Sequence, residues 1–269
     1  MTSLTDLEAH LASLGRVLLG YSGGVDSALL AVACTRALGA DRFLAVIGRS
    51  ASYPAVQYAA AIDIARRFAV PLLELDTQEL DDPAYRANAT DRCYHCKHEL
   101  WTRLGEVASE RSFDTIIDGT NADDLREHRP GLRAATEHRV RSPFVELGWD
   151  KTAVRSAARE LDLPVWDAPA SPCLSSRIQY GLEVTPGRLR QVEAAEAGIR
   201  ALGVVGDLRV RHRGDHASVE VNAPMLPLVR ERWDMIAAQL DRLGFRRAEL
   251  DPRGYHRGGL LGDGPAAEP

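Results

Sequence analysis

The sequence has little of what marks a secreted, membrane-spanning or nucleic-acid-coating chain. Its four cysteines in 269 residues are too few for a disulfide scaffold and suit a reducing cytoplasm. No run approaches the roughly 18 uninterrupted apolar residues of a membrane span. The amino-terminal "MTSLTDLEAHLASLG" lacks the basic and apolar regions of a secretory signal. Positive charge is not in excess, since 33 Lys and Arg against 38 Asp and Glu leave a net charge of −5. That balance gives no electrostatic basis for coating nucleic acid. Repeats are absent, and low-complexity character is confined to residues 257–269, "RGGLLGDGPAAEP", which read as a disordered tail. The rest is ordinary globular composition, 45% hydrophobic and 26% charged, with ample apolar content for a core.

Short apolar runs alternate with helical stretches through the first half. "RVLLGYS" (16–22), "RFLAVI" (42–47), "LLEL" (72–75) and "DTIIDGT" (114–120) read as strands. Residues 25–38, 53–69, a stretch after Cys96 and 151–161 read as helices. The alternation implies βαβ units and a parallel sheet, whose ligands bind beyond the carboxyl ends of the strands. After the proline-rich "DLPVWDAPASP" (162–172) the pattern changes. A helix over 186–202, alternating runs at 207–212 and 217–221 joined by a "GD" turn, a helix over 226–243 and a run at 245–251 read as an α+β unit. The expected organisation is an α/β domain over 1–172 and a smaller α+β domain over 173–256.

"LLGYSGGVDSALLAVA" (18–33) carries the clearest chemistry. A strand runs into Ser-Gly-Gly and a helix starts at once. Gly23 and Gly24 permit a tight turn and close backbone approach to a ligand. The amides that open the helix, with the positive end of its dipole, suit a phosphate. Ser22 and Ser27 add hydroxyls, and Asp26 can hold a magnesium ion or a water. The Walker A ending "GK[ST]" is absent, and so is the dinucleotide fingerprint. The loop resembles the PP-loop of ATP pyrophosphatases, which split ATP to AMP and pyrophosphate and transfer the AMP to a carboxylate or carbonyl oxygen. A second polar loop, "DGTNADDLREHRPGLRAA" (118–135), falls on the same sheet edge. There Asp118, Thr120, Asn121 and Asp124 are candidates for the ATP site. Asp123 is a further acidic candidate, and Arg129 and Arg133 can meet an anion.

Cys34 lies in an apolar helix and reads as a buried small residue. "RCYHCK" puts Cys93 and Cys96 two residues apart, close enough for one metal. A structural zinc site needs a second pair, which is missing. Cys173 in "SPCLSSR" is the one plausible third thiolate. Three thiolates suit a [4Fe–4S] cluster with one open iron; the alternative is three unrelated thiols.

Taken together, "GYSGGVDSALLAVA", "RCYHCK", "DGTNADDLREHRPGLRAA", "SPFVELGWDKTAVR" and "SPCLSSRIQYG" occur in the order seen in LarE-type proteins, which this chain resembles from about residue 16 to 255. The resemblance implies an ATP-dependent sulfur transferase of nickel-pincer nucleotide biosynthesis, cytoplasmic and homo-oligomeric, with a PP-loop domain before a C-terminal domain. The substrate would be a pyridinium biscarboxylate mononucleotide. Its carboxylate would be adenylated and converted to a thiocarboxylate. Cys173 matches the sulfur-bearing cysteine. With all three cysteines present, a [4Fe–4S] cluster on Cys93, Cys96 and Cys173 is favoured over sacrifice of the Cys173 sulfur. Arg209 and Arg211, alternating on one strand and so facing one side, become candidates for the substrate phosphate. Glu220 and Glu196 become candidates for a divalent-metal or substrate site. Trp101 either stacks on a substrate ring or belongs to the core. The competing readings are a PP-loop tRNA thiolase and an amide-forming PP-loop ligase.

Overall fold

The computed structural model describes residues 3–126, 130–169 and 172–256. The expected tail at 257–269 and Arg129 lie outside the described residues. Contacts divide the chain into two compact units, Met1–Glu79 with Asp91–Ser171, and Leu80–Thr90 with Pro172–Pro269.

The first unit begins with α1 (Leu4–Ala12), whose amide at Asp6 is capped by the Ser3 hydroxyl. It continues through β1 (Val17–Gly20), α2 (Val25–Leu38), β2 (Phe43–Arg49), α3 (Ala55–Arg67) and β3 (Leu72–Asp76). The short α4 (Pro83–Arg86) belongs to the second unit. The chain then returns to the first as α5 (Arg92–Arg111), β4 (Thr115–Ile117), α6 (Pro130–Glu137), α7 (Pro143–Glu146) and α8 (Lys151–Glu160). The four strands are parallel in the order β3-β2-β1-β4. Helix α2 is apolar nearly all round, as "ALLAVAC" dictates, and is buried against α1 and α8. Cys34 lies fully buried within it, and burial pushes its thiol pKa up, so it is inert.

The second unit adds α9 (Pro186–Ala201), β5 (Leu208–Arg213), β6 (His216–Val221), α10 (Leu226–Glu231), α11 (Trp233–Arg242) and β7 (Arg247–Leu250). Thr185 caps α9, with proline at its first position. Gly214 and Asp215 make the two-residue hairpin between β5 and β6, with Gly214 at φ +78°. β7 joins β6 in parallel. Leu208, Val210, Ala217, Val219 and Val221 face an apolar core shared with α9 and α11. Arg209, Arg211, Ser218 and Glu220 occupy the opposite face by the two-residue period.

Two helices differ from the sequence reading. α5 starts at Arg92, so Cys93 and Cys96 lie inside its first turns rather than before it. The single helix expected over 226–243 is broken at Arg232, whose φ and ψ of −100° and 13° leave the helical range while its guanidinium donates to the Leu202 carbonyl. No described helix is long and apolar enough to cross a membrane.

Candidate active site

Strand order reverses at β1: the chain moves from β1 outward through β2 and β3, then crosses to place β4 on the other flank. A crevice at the carboxyl ends of β1 and β4 is where such sheets bind ligands. The Ser-Gly-Gly loop leaves β1 at that point. Gly23 has φ +67°, and a Cβ there would stand 2.4 Å from the Ala61 Cβ, so only glycine fits. The loop is pinned by Tyr53, whose hydroxyl donates to the Ser22 carbonyl at 2.8 Å. The Ser22 amide donates to the Ser27 hydroxyl at 3.1 Å, which in turn donates to the Gly24 carbonyl at 3.1 Å. Gly24 gives α2 no side-chain cap. An anion can therefore take the capping role at its first-turn amides.

The loop after β4 closes on the first one. A Cβ on Gly119 would meet the Asp26 Cβ and the Ser27 amide nitrogen at 3.0 Å. Asn121 Nδ2 donates to Asp26 Oδ1 at 3.0 Å. Asp26 Oδ2 takes the ammonium of Lys151, at the start of α8. The Lys151 amide donates to Asp123 Oδ2 at 3.0 Å, and the Asn121 amide to Asp124 Oδ2 at 3.0 Å. Asp118 shapes the loop, accepting from the Thr120 hydroxyl at 2.8 Å and the Ser142 hydroxyl at 2.7 Å. Ser22, Gly23, Gly24, Asp26, Ser27, Asp118, Thr120, Asn121 and Asp124 thus lie on two touching loops of one sheet edge. Lys151 completes the cluster and escapes the sequence reading. Its only local signal is the Asp-Lys step inside "GWDKTAVR".

On α5, Cys93 is exposed and Cys96 half-buried one helical turn later, neither of them in a disulfide. Trp101 is buried between α5 and the sheet as a core residue, and does not present a stacking face. Arg133 lies over the Tyr94 ring at 3.7 Å and beside Glu137 at 3.6 Å, which engages the cation expected to meet an anion.

In the second unit, Cys173 is a half-buried free thiol opening a 3₁₀ turn, Leu174–Arg177. Arg177 pairs with Glu196 at 3.0 Å, and Arg211 with Glu220 at 2.8 Å, all four side chains being largely or wholly buried. Arg209 is buried beneath the Tyr255 ring at 5.0 Å. Burial and the neighbouring Arg177 charge lower its pKa. Glu196 and Glu220 each face a different arginine rather than each other. Among the described residues, the one close group of three such side chains is Glu220, Asp251 and His256, with atoms within 4.8 Å. Its Asp251 is already forked by Arg253 at 3.0 and 2.8 Å.

The NAD synthase family profile matches residues 5–101. Along 96% of its length the chain is 36% identical to an uncharacterized protein of Synechocystis sp., covering 97% of that protein. It is 33% identical, over 96% of the chain and 93% of the relative, to the pyridinium-3,5-bisthiocarboxylic acid mononucleotide synthase of Lactiplantibacillus plantarum. An uncharacterized protein of Methanocaldococcus jannaschii is 28% identical over 86% of the chain and 87% of its own length.

Proposed function

The chain belongs to the LarE-type family of ATP-dependent sulfur-transferring enzymes, and from that premise we propose that it thiolates a carboxylate of pyridinium-3,5-biscarboxylate mononucleotide on the way to the nickel-pincer cofactor of lactate racemase. The carrying observation is the likeness, across nearly the whole chain, to a relative named for a bisthiocarboxylic acid product. The phosphate loop at the sheet's switch point supports it.

A carboxylate is a poor electrophile until one oxygen becomes part of a leaving group. Its oxygen attacks the α-phosphorus of ATP, pyrophosphate leaves, and an acyl-adenylate forms. The α2 amides, Ser22 and Ser27 receive the pyrophosphate end. Lys151 neutralises developing phosphate charge, exchanging Asp26 for the nucleotide. Magnesium enters with the ATP phosphates, an oxygen-rich ligand set that it prefers. Both Asp26 oxygens are taken by Asn121 and Lys151, so Asp26 does not offer a ready-made magnesium site. In the second half-reaction a thiolate attacks the acyl carbon and AMP leaves. Of the two arginines expected to meet the mononucleotide phosphate, Arg209 remains the candidate, because the Arg211 guanidinium is held by Glu220 and the Ser176 carbonyl.

Two sulfur sources fit that step. If Cys173 attacks, a thioester forms. Removal of its Cα proton and cleavage of its Cβ–S bond then release the thiocarboxylate and leave dehydroalanine, with no net redox change. Cys93 and Cys96, accessible and one turn apart on α5, suit two ligands of a [4Fe–4S] cluster with Cys173 as the third. Such a cluster, when bound, would supply an iron-bound sulfide in place of the Cys173 sulfur. This is the favoured source, and a cytoplasmic setting suits it.

The decisive assay combines anaerobic protein with ATP, magnesium and the biscarboxylate mononucleotide, following pyrophosphate, AMP and product mass. Thiocarboxylate formation, with Cys173→Ala stopping after pyrophosphate release, is the expected result. An ammonia-dependent amide product would establish the ligase reading instead, and thiolation of added tRNA the thiolase reading. Roughly four irons per chain, lost in Cys93→Ala, is the expected analysis for the cluster; colourless protein that loses the Cys173 sulfur would replace it. The homo-oligomer, part of the same proposal, is checked by light scattering.

A further inference from the structure

Glu196 and Glu220 grip two arginines, and both arginines converge on the backbone of one short segment. The Arg177 fork places Nε and Nη2 on the two oxygens of Glu196 at 3.0 and 3.2 Å. Its remaining nitrogen, Nη1, donates to the carbonyls of Pro172 at 2.5 Å and Cys173 at 3.0 Å, and to the Ser176 hydroxyl at 3.1 Å. Arg211 places Nε and Nη2 on Glu220 at 2.9 and 2.8 Å and donates from Nη1 to the Ser176 carbonyl at 3.1 Å. Glu196 also accepts from the Val210 amide at 3.1 Å, which ties the first fork to β5. The Cys173 carbonyl receives two more donors, the Ser176 hydroxyl at 2.7 Å and the Ser176 amide at 3.0 Å.

The Cys173 carbonyl is therefore saturated with donors, while the thiol is left half-exposed. A guanidinium buried to this degree stays put only because a carboxylate holds it in a fixed fork, and a fixed fork is pre-organised for the bonds it makes next. We propose that Arg177 and Arg211 are positioning residues that hold the Cys173 sulfur in register for the sulfur-transfer half-reaction, with Glu196 and Glu220 orienting the two guanidinium groups. This rests on the reading of Cys173 as a residue of the sulfur-transfer site, as third ligand of the sulfide-supplying cluster or as the sulfur donor itself. It gives Glu196 and Glu220 a structural task in place of metal ligation.

The test uses the full chain with Arg177→Lys, Glu196→Gln and Arg177→Ala. Each is assayed for carboxylate-dependent ATP–pyrophosphate exchange and for single-turnover thiocarboxylate formation. Lysine keeps the charge and loses the fork. Exchange and KM are expected to stay near wild type while the transfer rate falls about 10²-fold, the usual cost of displacing a reacting group by about 1 Å. Added guanidinium ion is expected to restore transfer in Arg177→Ala. Exchange and transfer falling together, or transfer unchanged in Arg177→Lys and Glu196→Gln, would overturn the proposal. Ser176→Ala serves if the arginine variants fail to fold. It removes one bond to the Cys173 carbonyl and leaves both ion pairs, and a loss of about 2- to 10-fold in transfer is expected; no loss counts against the proposal. Should the wild-type chain show no carboxylate-dependent exchange, the proposed function fails while positioning is still read directly. The rate at which iodoacetamide alkylates Cys173, measured on its own peptide, should then change in Arg177→Ala and revert with guanidinium. An unchanged rate overturns the positioning role.

Discussion

At the sheet edge of the first unit, Lys151 and Asp26 meet with side chains 37% and 23% exposed; on the polar face of the second unit, Arg211 and Glu220 meet with side chains 7% and 1% exposed. Both are single cation–carboxylate pairs, yet they do different work. Water screens the first pair, so its partners separate at little cost when a phosphate arrives. The second pair has given up its hydration, so neither partner can leave without stranding the other. One pair is built to change partners and the other to stay fixed. That division suits a site that must admit and release nucleotide and a segment that must hold a sulfur steady.

The contrast can be broken at the buried end first. Glu220→Ala strands the Arg211 guanidinium and is expected to cost about 3–5 kcal/mol in denaturant unfolding of the second unit. Acid is the next lever. His212, packed edge-on against Phe245 and bonded to Gln191 at 3.0 Å, has its pKa lowered from 6.5 to about 4, chiefly by burial and further by Arg188. The unfolded chain therefore binds this proton first as pH falls. Stability is intact above about 6.5 and is lost between there and about 4, by about 3 kcal/mol at most. A His212→Gln variant should flatten that part of the stability–pH curve. At the exposed end, Gly23→Ala must adopt a positive φ and push its Cβ against Ala61, at an expected cost of about 1–3 kcal/mol and with loss of ATP–pyrophosphate exchange. Lys151→Ala should shift unfolding by less than about 1 kcal/mol. It should nevertheless lower the exchange rate about 10²-fold, a loss of activity without a loss of fold. If Lys151→Ala destabilised the chain as much as Glu220→Ala, the contrast would collapse.

The phosphate loop is legible because its signal is local: a strand, two glycines and a helix start lie within ten residues, and the structure keeps that order. Alternation also places Arg209 and Arg211 on one face, as observed, and the register adds Glu220 to it. What alternation does not carry is whether a face meets water. Here the turn at 174–177 bonds to Arg211, and the arginines that would read as a solvated stripe are buried. Lys151 is hidden from the sequence because its partner lies 125 residues earlier, and Asp-Lys at a helix start is unremarkable by itself. The start of α5 at Arg92 is hidden because Asp91 provides no side-chain cap to announce it.

The segment Leu80–Thr90 has a consequence for how the chain is made. Asn88, fully buried, donates its side-chain amide to the carbonyls of Gln179 at 2.8 Å and Leu182 at 2.9 Å. The Arg86 carbonyl accepts from the Val184 amide, and Tyr85 bonds to the Ser175 hydroxyl at 2.6 Å. Every one of these partners is encoded some 90 residues downstream. At about 5–20 residues per second of translation, the segment must wait roughly 5–20 s for them, with its apolar Tyr85 unsheltered. The second unit is thus the last to close.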